Sequence, residues 1–329
     1  MIKTTPGTDA LREQFDTIIF DMDGVLLDIT ESIRVVNCLA VPMYLREVLH
    51  WPAPDDLVTT EDIEAFKHAG GFNDDIELTR AIVLHYVNKE HEHPGADPDT
   101  LNVFRPTLID FARKIGERGG GLQNAENICL EKHNYDNRAQ VLLDYRTREI
   151  GQIFEELFAG EHTQELYGYE PKFYKGPGYV NKDKPIIDIA KLPAGKKYGV
   201  LTGRTPAEAK LGLKMSGLLE IVPESNLMTP KGGPRKPDPR GLRKLVEEMG
   251  AQRTLYIGDT LDDYRTVERY QRKYADLPVS AALVLTGPAG VRNKKIFERS
   301  GAEIAGADVN EILDWLSGTP AVEETDTNE

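Results

Sequence analysis

Four short apolar runs, each closed by a turn or polar residue, punctuate a chain whose remaining apolar positions mostly follow the helical period. Thr17-Ile18-Ile19-Phe20 precedes Asp21, Lys197-Tyr198-Gly199-Val200-Leu201 precedes Thr202, Thr254-Leu255-Tyr256-Ile257 precedes Gly258-Asp259, and Ala281-Ala282-Leu283-Val284-Leu285 precedes Thr286-Gly287. Runs this brief are too short for helices and read as strands buried on both faces. Helical patterns over 206–216, 238–249 and 262–274 lie among the last three runs, and a closing helix is predicted over 310–315 with Asp308 or Asn310 as its N-cap. The alternation predicts an α/β fold, a Rossmann-like parallel sheet with helices on both faces.

Residues 30–185 follow a different rule. Ile76, Val83 and Val87, with Ile82 and Tyr86 beside them, form one helical stripe, and Ile150, Ile153, Phe154 and Leu157 form another, while strand signals are few. The pattern predicts a mainly α-helical domain inserted into the sheet domain, which is then discontinuous, 1–29 with 186–329. Pro42 falls inside an otherwise helical run and is expected to kink or split it. Gly119-Gly120-Gly121 reads as a helix-helix turn, since no strand precedes it. The acidic, polar end of the chain, about 318–329, has nothing to pack and is expected to be disordered.

Charge and composition narrow the partners. With 54 acidic against 40 basic residues, a net charge of −14 disfavours a nucleic-acid backbone or an anionic membrane as the main partner. Cys38 and Cys129 are far apart and in no metal-binding spacing, so both are expected as ordinary buried thiols. The first residues lack a signal-type apolar stretch and no later stretch approaches a membrane span, which predicts a soluble cytoplasmic chain.

The chemistry concentrates at the strand ends. Asp21 and Asp23, in Phe20-Asp21-Met22-Asp23-Gly24-Val25-Leu26, put two carboxylates two positions apart where open α/β sheets carry their sites. Taken alone, such a pair is also an ordinary turn. Three further segments follow in order: Leu201-Thr202-Gly203-Arg204, Arg235-Lys236-Pro237-Asp238-Pro239 and Gly258-Asp259-Thr260-Leu261-Asp262-Asp263. Together the four resemble the motifs of the haloacid dehalogenase-like hydrolases, in the phosphoglycolate-phosphatase-like branch whose helical cap lies between the first and second motifs. The interval here, about 155 residues, is larger than the compact cap typical of that branch.

The resemblance implies a phosphatase acting on a small phosphorylated metabolite, as a monomer or homodimer, and the residue chemistry agrees with it. A phosphate dianion repels a carboxylate nucleophile, so attack needs a cation and donors to the equatorial oxygens. Asp21 is then the nucleophile that forms an aspartyl-phosphate. Mg²⁺ takes hard oxygen ligands, which the Asp21 and Asp259 carboxylates and the Asp23 carbonyl supply, with Asp263 orienting metal-bound water. Thr202 and the following amides, including that of Gly203, meet phosphoryl oxygens, and Lys236 is a point charge for nucleophile and phosphate. Asp23 acts as general acid, then general base. It separates phosphoryl hydrolysis from the dehalogenases, which lack a second Asp. A phosphomutase would keep the same motifs, and a non-catalytic phospho-ligand binder could keep the fold.

Substrate identity is expected from the insertion. Lys67-His68-Ala69-Gly70-Gly71-Phe72-Asn73-Asp74-Asp75 is the candidate, with Gly71 and Asn73 facing substrate; helix capping accounts equally for the glycines. Arg204 could fork onto a substrate oxygen or pair with an acid on the next helix. The lysines of 175–185, a return hinge, read as a solvated loop, as does Arg292-Asn293-Lys294-Lys295 at a helix start. His85, His91 and His93 imitate a metal cluster but read as a helix end and loop, and Gly287-Pro288-Ala289-Gly290 lacks dinucleotide-loop spacing.

Overall fold

The computed structural model describes residues 2–72, 74–231, 233–286 and 302–318. The expectations for Asn73, for 287–301 and for the tail from 319 lie outside the described residues. The chain divides into two compact units, residues 1–29 with 184–329, and Thr30–Asp183.

Nine strands are described: β1 (Lys3–Thr4), β2 (Thr17–Phe20), β3 (Leu27–Asp28), β4 (Lys184–Pro185), β5 (Lys197–Leu201), β6 (Leu227–Met228), β7 (Thr254–Gly258), β8 (Val279–Val284) and β9 (Ile304–Gly306). Seven form one sheet in the order β1-β9-β8-β7-β2-β5-β6, parallel throughout except for β1 at the edge. The apolar runs are buried on both faces because alternate side chains leave opposite sides of the sheet. Ile18, Phe20, Val200, Leu255, Ile257 and Val284 join one core layer, with Leu213 and Leu313. Ile19, Leu201, Tyr256 and Ala281 join the other, with Leu245, Val267 and Tyr270. These helix residues sit on α10 (Pro206–Met215) and α13 (Val309–Ser317) on the first side, and on α11 (Pro239–Glu248) and α12 (Leu261–Lys273) on the second.

β3 and β4 make a separate two-stranded ribbon, with Leu27 opposite Pro185 and Asp28 opposite Lys184. That pairing ties Lys184 and Pro185 to the sheet unit, so the return crossing falls at 183/184, two residues before the boundary read from the sequence.

The second unit is helical: α1 (Ile33–Glu47), α2 (Thr60–Ala69), α3 (Asp75–Glu92), α4 (Pro98–Val103), α5 (Leu108–Glu117), α6 (Leu122–Leu130), α7 (Tyr135–Asp144), α8 (Thr147–Ala159) and α9 (Thr163–Tyr167). Here α1 packs on α3 and α8, α2 on α5, and α3 on α6. The expected split at Pro42 does not occur, and α1 runs through it. Proline costs an interior helix about 3 kcal/mol, and the burial of Val36, Val41, Tyr44 and Leu45 on the same helix offsets it. Among the described residues no helix is long and apolar enough to cross a membrane.

Candidate active site

Strand order assembles the site. β5, β2 and β7 are adjacent and parallel, so the residues just past their carboxyl ends, Thr202, Asp21 and Asp259, emerge side by side at one edge of the sheet. Asp21 continues the ladder, its amide donating to the Ile257 carbonyl at 2.8 Å, and the Thr202 amide donates to Met228 at 3.0 Å. After Asp21 the chain turns sharply: the Met22 carbonyl accepts from the amides of Leu26 and Leu27, and the Gly24 amide donates to Leu27 at 2.8 Å. Gly24 has φ +79°, and a Cβ there would lie 2.2 Å from Asp259 Oδ2. Glycine is therefore required by the approach of the second acid.

Lys236 stands among the acids. Its Nζ is 2.8 Å from Asp21 Oδ1 and 2.7 Å from Asp263 Oδ1. Asp263 is otherwise saturated. Its Oδ1 also accepts from the Tyr256 hydroxyl at 2.7 Å, and its Oδ2 accepts from the Thr260 amide at 3.0 Å and hydroxyl at 2.5 Å. The amide contact is half of the capping box that starts α12. With two donors on each oxygen, Asp263 is built to hold Lys236. Tyr256 and Thr260 were not singled out by sequence: one is a strand residue inside an apolar run, the other half of a cap.

The charges are out of balance. Burial first, then Asp263 and Asp23, push Asp21 up to about 7 against the pull of Lys236. Burial, Asp263 and Asp21 hold Asp259 well above the usual carboxylate range. Burial also opposes the charge on Asp263, but Lys236 and the Thr260 and Tyr256 hydrogen bonds outweigh it and leave it lowered. Burial pulls Lys236 down, and Asp21 and Asp263 more than reverse this. One ammonium does not neutralise this group of acids. Asp21, Asp259 and Asp263 bring one carboxylate oxygen each within 4.8 Å of one another; with Asp263 saturated, the Asp21 and Asp259 oxygens are those that fit a hard divalent cation such as Mg²⁺.

Arg204 is buried, and both its Nε, at 2.8 Å, and its Nη2, at 2.7 Å, reach Asp23 Oδ1. This acid lies on the loop after β2. The Arg204 amide donates to Thr202 Oγ1 at 3.2 Å, and Gly203 between them is exposed.

Within the helical unit, Gly71 has a packing explanation. Gly70-Gly71 lies backbone to backbone against Gly120-Gly121: the Gly121 amide donates to the Gly70 carbonyl at 2.9 Å, and a Cβ on Gly71 would be 2.8 Å from Gly121 N. Phe72 is buried edge-on to Phe66, and Asp74 caps α3 through the amides of Ile76 and Glu77. The histidines do not converge: His85 stacks on Phe111, His91 pairs with Asp144 and His93 meets Phe104. Cys38 and Cys129 are buried, free thiols.

The parallel sheet gathers a buried acid, a clamped lysine and a carboxylate cluster at its strand ends, where open α/β sheets carry their sites. The family model for haloacid dehalogenase-like hydrolases matches residues 15–269, and the chain belongs to that family. Among solved structures, the phosphatase Tt82 from Thermococcus thioreducens is similar over 92% of this chain and 99% of its own, with a TM-score of 0.58 and 23% identity. A structural-genomics target is similar over the same shares, with a TM-score of 0.64 and 14% identity. At these identities the likeness speaks to the fold. No curated protein sequence matches the chain.

Proposed function

We propose that the protein is a Mg²⁺-dependent phosphatase that hydrolyses a small phosphorylated metabolite in the cytoplasm through an aspartyl-phosphate on Asp21. The observation that carries this reading is the Asp21–Lys236–Asp263 clamp. Lys236 fixes Asp21 Oδ1 and, being itself fixed by Asp263, presents its charge beside the nucleophile. The other Asp21 oxygen has no partner among the described residues and is the attacking atom.

Asp21 and Asp259, with the Asp23 carbonyl, would hold the cation. When bound it screens the repulsion between carboxylate and phosphate and adds Lewis-acid stabilisation to the phosphoryl oxygens. The chain's own groups do the rest. The Asp21 carboxylate forms the new P–O bond as the ester P–O bond breaks, and Asp23 gives a proton to the leaving alkoxide. In the second half Asp23 takes a proton from water, which attacks the phosphorus and releases Asp21. Thr202, with the Gly203 amide, would receive phosphoryl oxygens. The helical unit serves as a cap that excludes water during the first half, with Gly71 and Asn73 as its candidate contacts.

The test is a screen of phosphorylated metabolites with Mg²⁺, scored by kcat/KM and by product. Release of inorganic phosphate supports the hydrolase, whereas an isomerised sugar phosphate would identify a mutase. Full activity in Asp21→Asn would refute the mechanism.

A further inference from the structure

We infer that Arg204 is the positioning residue of the acid-base carboxylate, and that it assigns the two oxygens of Asp23 different jobs. The inference rests on the phosphatase reading and deepens it. Two guanidinium nitrogens, Nε and Nη2, converge on a single oxygen, Oδ1. Oδ2 has no partner among the described residues, and the Asp23 side chain keeps about a quarter of its surface exposed while that of Arg204 is 3% exposed. A fork that gripped both oxygens would leave neither for chemistry. This one fixes the carboxyl plane by one oxygen and leaves the other open.

Arg204 is itself held by chain geometry. It lies three residues past β5, with its amide bonded to the Thr202 hydroxyl, and the next residue, Thr205, caps α10. The guanidinium therefore starts from rigid backbone on the strand beside β2 and crosses to the loop that carries Asp23. Oδ2 is the seat of the proton: it gives that proton to the departing ester oxygen as the P–O bond breaks, and receives one from the attacking water as the acyl phosphate is cleaved. Arg204 takes no proton in either step. Lysine cannot reproduce this grip, because a single ammonium fixes a distance but not a plane.

Leaving-group dependence reads this role directly. Protonation matters for a poor alkoxide leaving group and little for a p-nitrophenolate. Arg204→Lys should lose kcat by about 10²-fold on an alkyl phosphate, the lower part of the range for acid-base catalysis, and by a much smaller factor on p-nitrophenyl phosphate, with KM little changed on both. Asp23→Asn should show the same selectivity, and the double variant should be no slower than Asp23→Asn alone. Guanidinium added to Arg204→Ala should recover alkyl-phosphate turnover, with melting temperature confirming that each variant is folded. An equal loss on both esters, a change confined to KM, or additive losses in the double variant would overturn the inference while leaving the phosphatase reading intact. A wild-type protein inactive on every phosphate ester would overturn both.

Discussion

Glu156 in the helical unit and Asp21 in the sheet unit are both buried acids, and they are held in opposite ways. Glu156 is fully buried with four donors: Gln152 Nε2 at 2.7 Å and the Lys172 amide at 2.9 Å on one oxygen, and the Phe173 and Tyr174 amides at 2.5 and 2.9 Å on the other. It ties the loop after α9 back to α8, as an anion does in a backbone nest. Asp21 has one donor among the described residues, Lys236, and two acids beside it that push it towards neutrality. A buried carboxylate saturated with donors is a structural knot. One that is left short is poised to react or to take a cation. Asp263 belongs with Glu156 by this measure, although it stands 2.7 Å from the same lysine.

The comparison breaks most decisively at Asp21. Asp21→Asn should lower kcat by at least about 10⁴-fold, while its melting temperature stays equal to or above that of the wild type, because the substitution removes a repelled buried charge. A fall in melting temperature would mean that Asp21 is a structural acid like Glu156. Lys236→Met should do the reverse, destabilising the protein by about 3–5 kcal/mol, since it leaves Asp21 and Asp263 buried without their cation. Millimolar Mg²⁺ should recover part of that loss in a thermal melt, by the mass action of a ligand that binds the folded state. No recovery would count against a cation among these acids.

Glu156→Gln sharpens the contrast from the other side. The amide keeps one acceptor and turns an NH₂ towards backbone donors, so a loss of about 2–4 kcal/mol is expected from the unsatisfied groups. Urea unfolding with and without Mg²⁺ should show the same loss, because Glu156 lies outside the acid cluster. Dependence on Mg²⁺ would erase the distinction between the two regions.

The sheet was legible because strands buried on both faces announce themselves as short apolar runs, and because parallel strands place chemistry at their carboxyl ends. Asp21, Thr202 and Asp259 follow from that placement, whereas Lys236, in the loop between Leu227–Met228 and Pro239–Glu248, follows from its motif. Strands of two or three residues, such as Leu227–Met228 and Ile304–Gly306, carry no period to read. Partners distant in sequence were equally hidden: Arg204 meets an acid 181 positions earlier, and nothing in Leu201-Thr202-Gly203-Arg204 indicates which one. Gly71 packs against Gly121, and a positive-φ glycine against another glycine has the same letter as one beside a ligand, so the sequence does not separate the two. At Pro42 the local rule that would split a helix is outweighed by the buried face of α1, which runs through it.

The smallest expected effect isolates a buried base. His85 is 2% exposed, stacked on Phe111 with ring centroids 4.9 Å apart, and its Nε2 has no hydrogen-bond partner among the described residues. Burial first, then Lys89 and Lys132, hold it well below the ordinary histidine value of 6.5. The folded protein thus binds no proton here at pH values where the unfolded chain begins to. Stability from this group is complete above pH 6.5 and is lost as pH falls below it, because protons then favour the unfolded state. One such group contributes a loss of about 1.4 kcal/mol between pH 7.5 and 5.5. His85→Phe keeps the ring on Phe111 and removes the titration. The difference in unfolding free energy between variant and wild type should therefore grow by that amount on acidification, measured by urea at the two pH values. A constant difference would show that His85 gains its proton in the folded state, and that this core is less dry than its packing indicates.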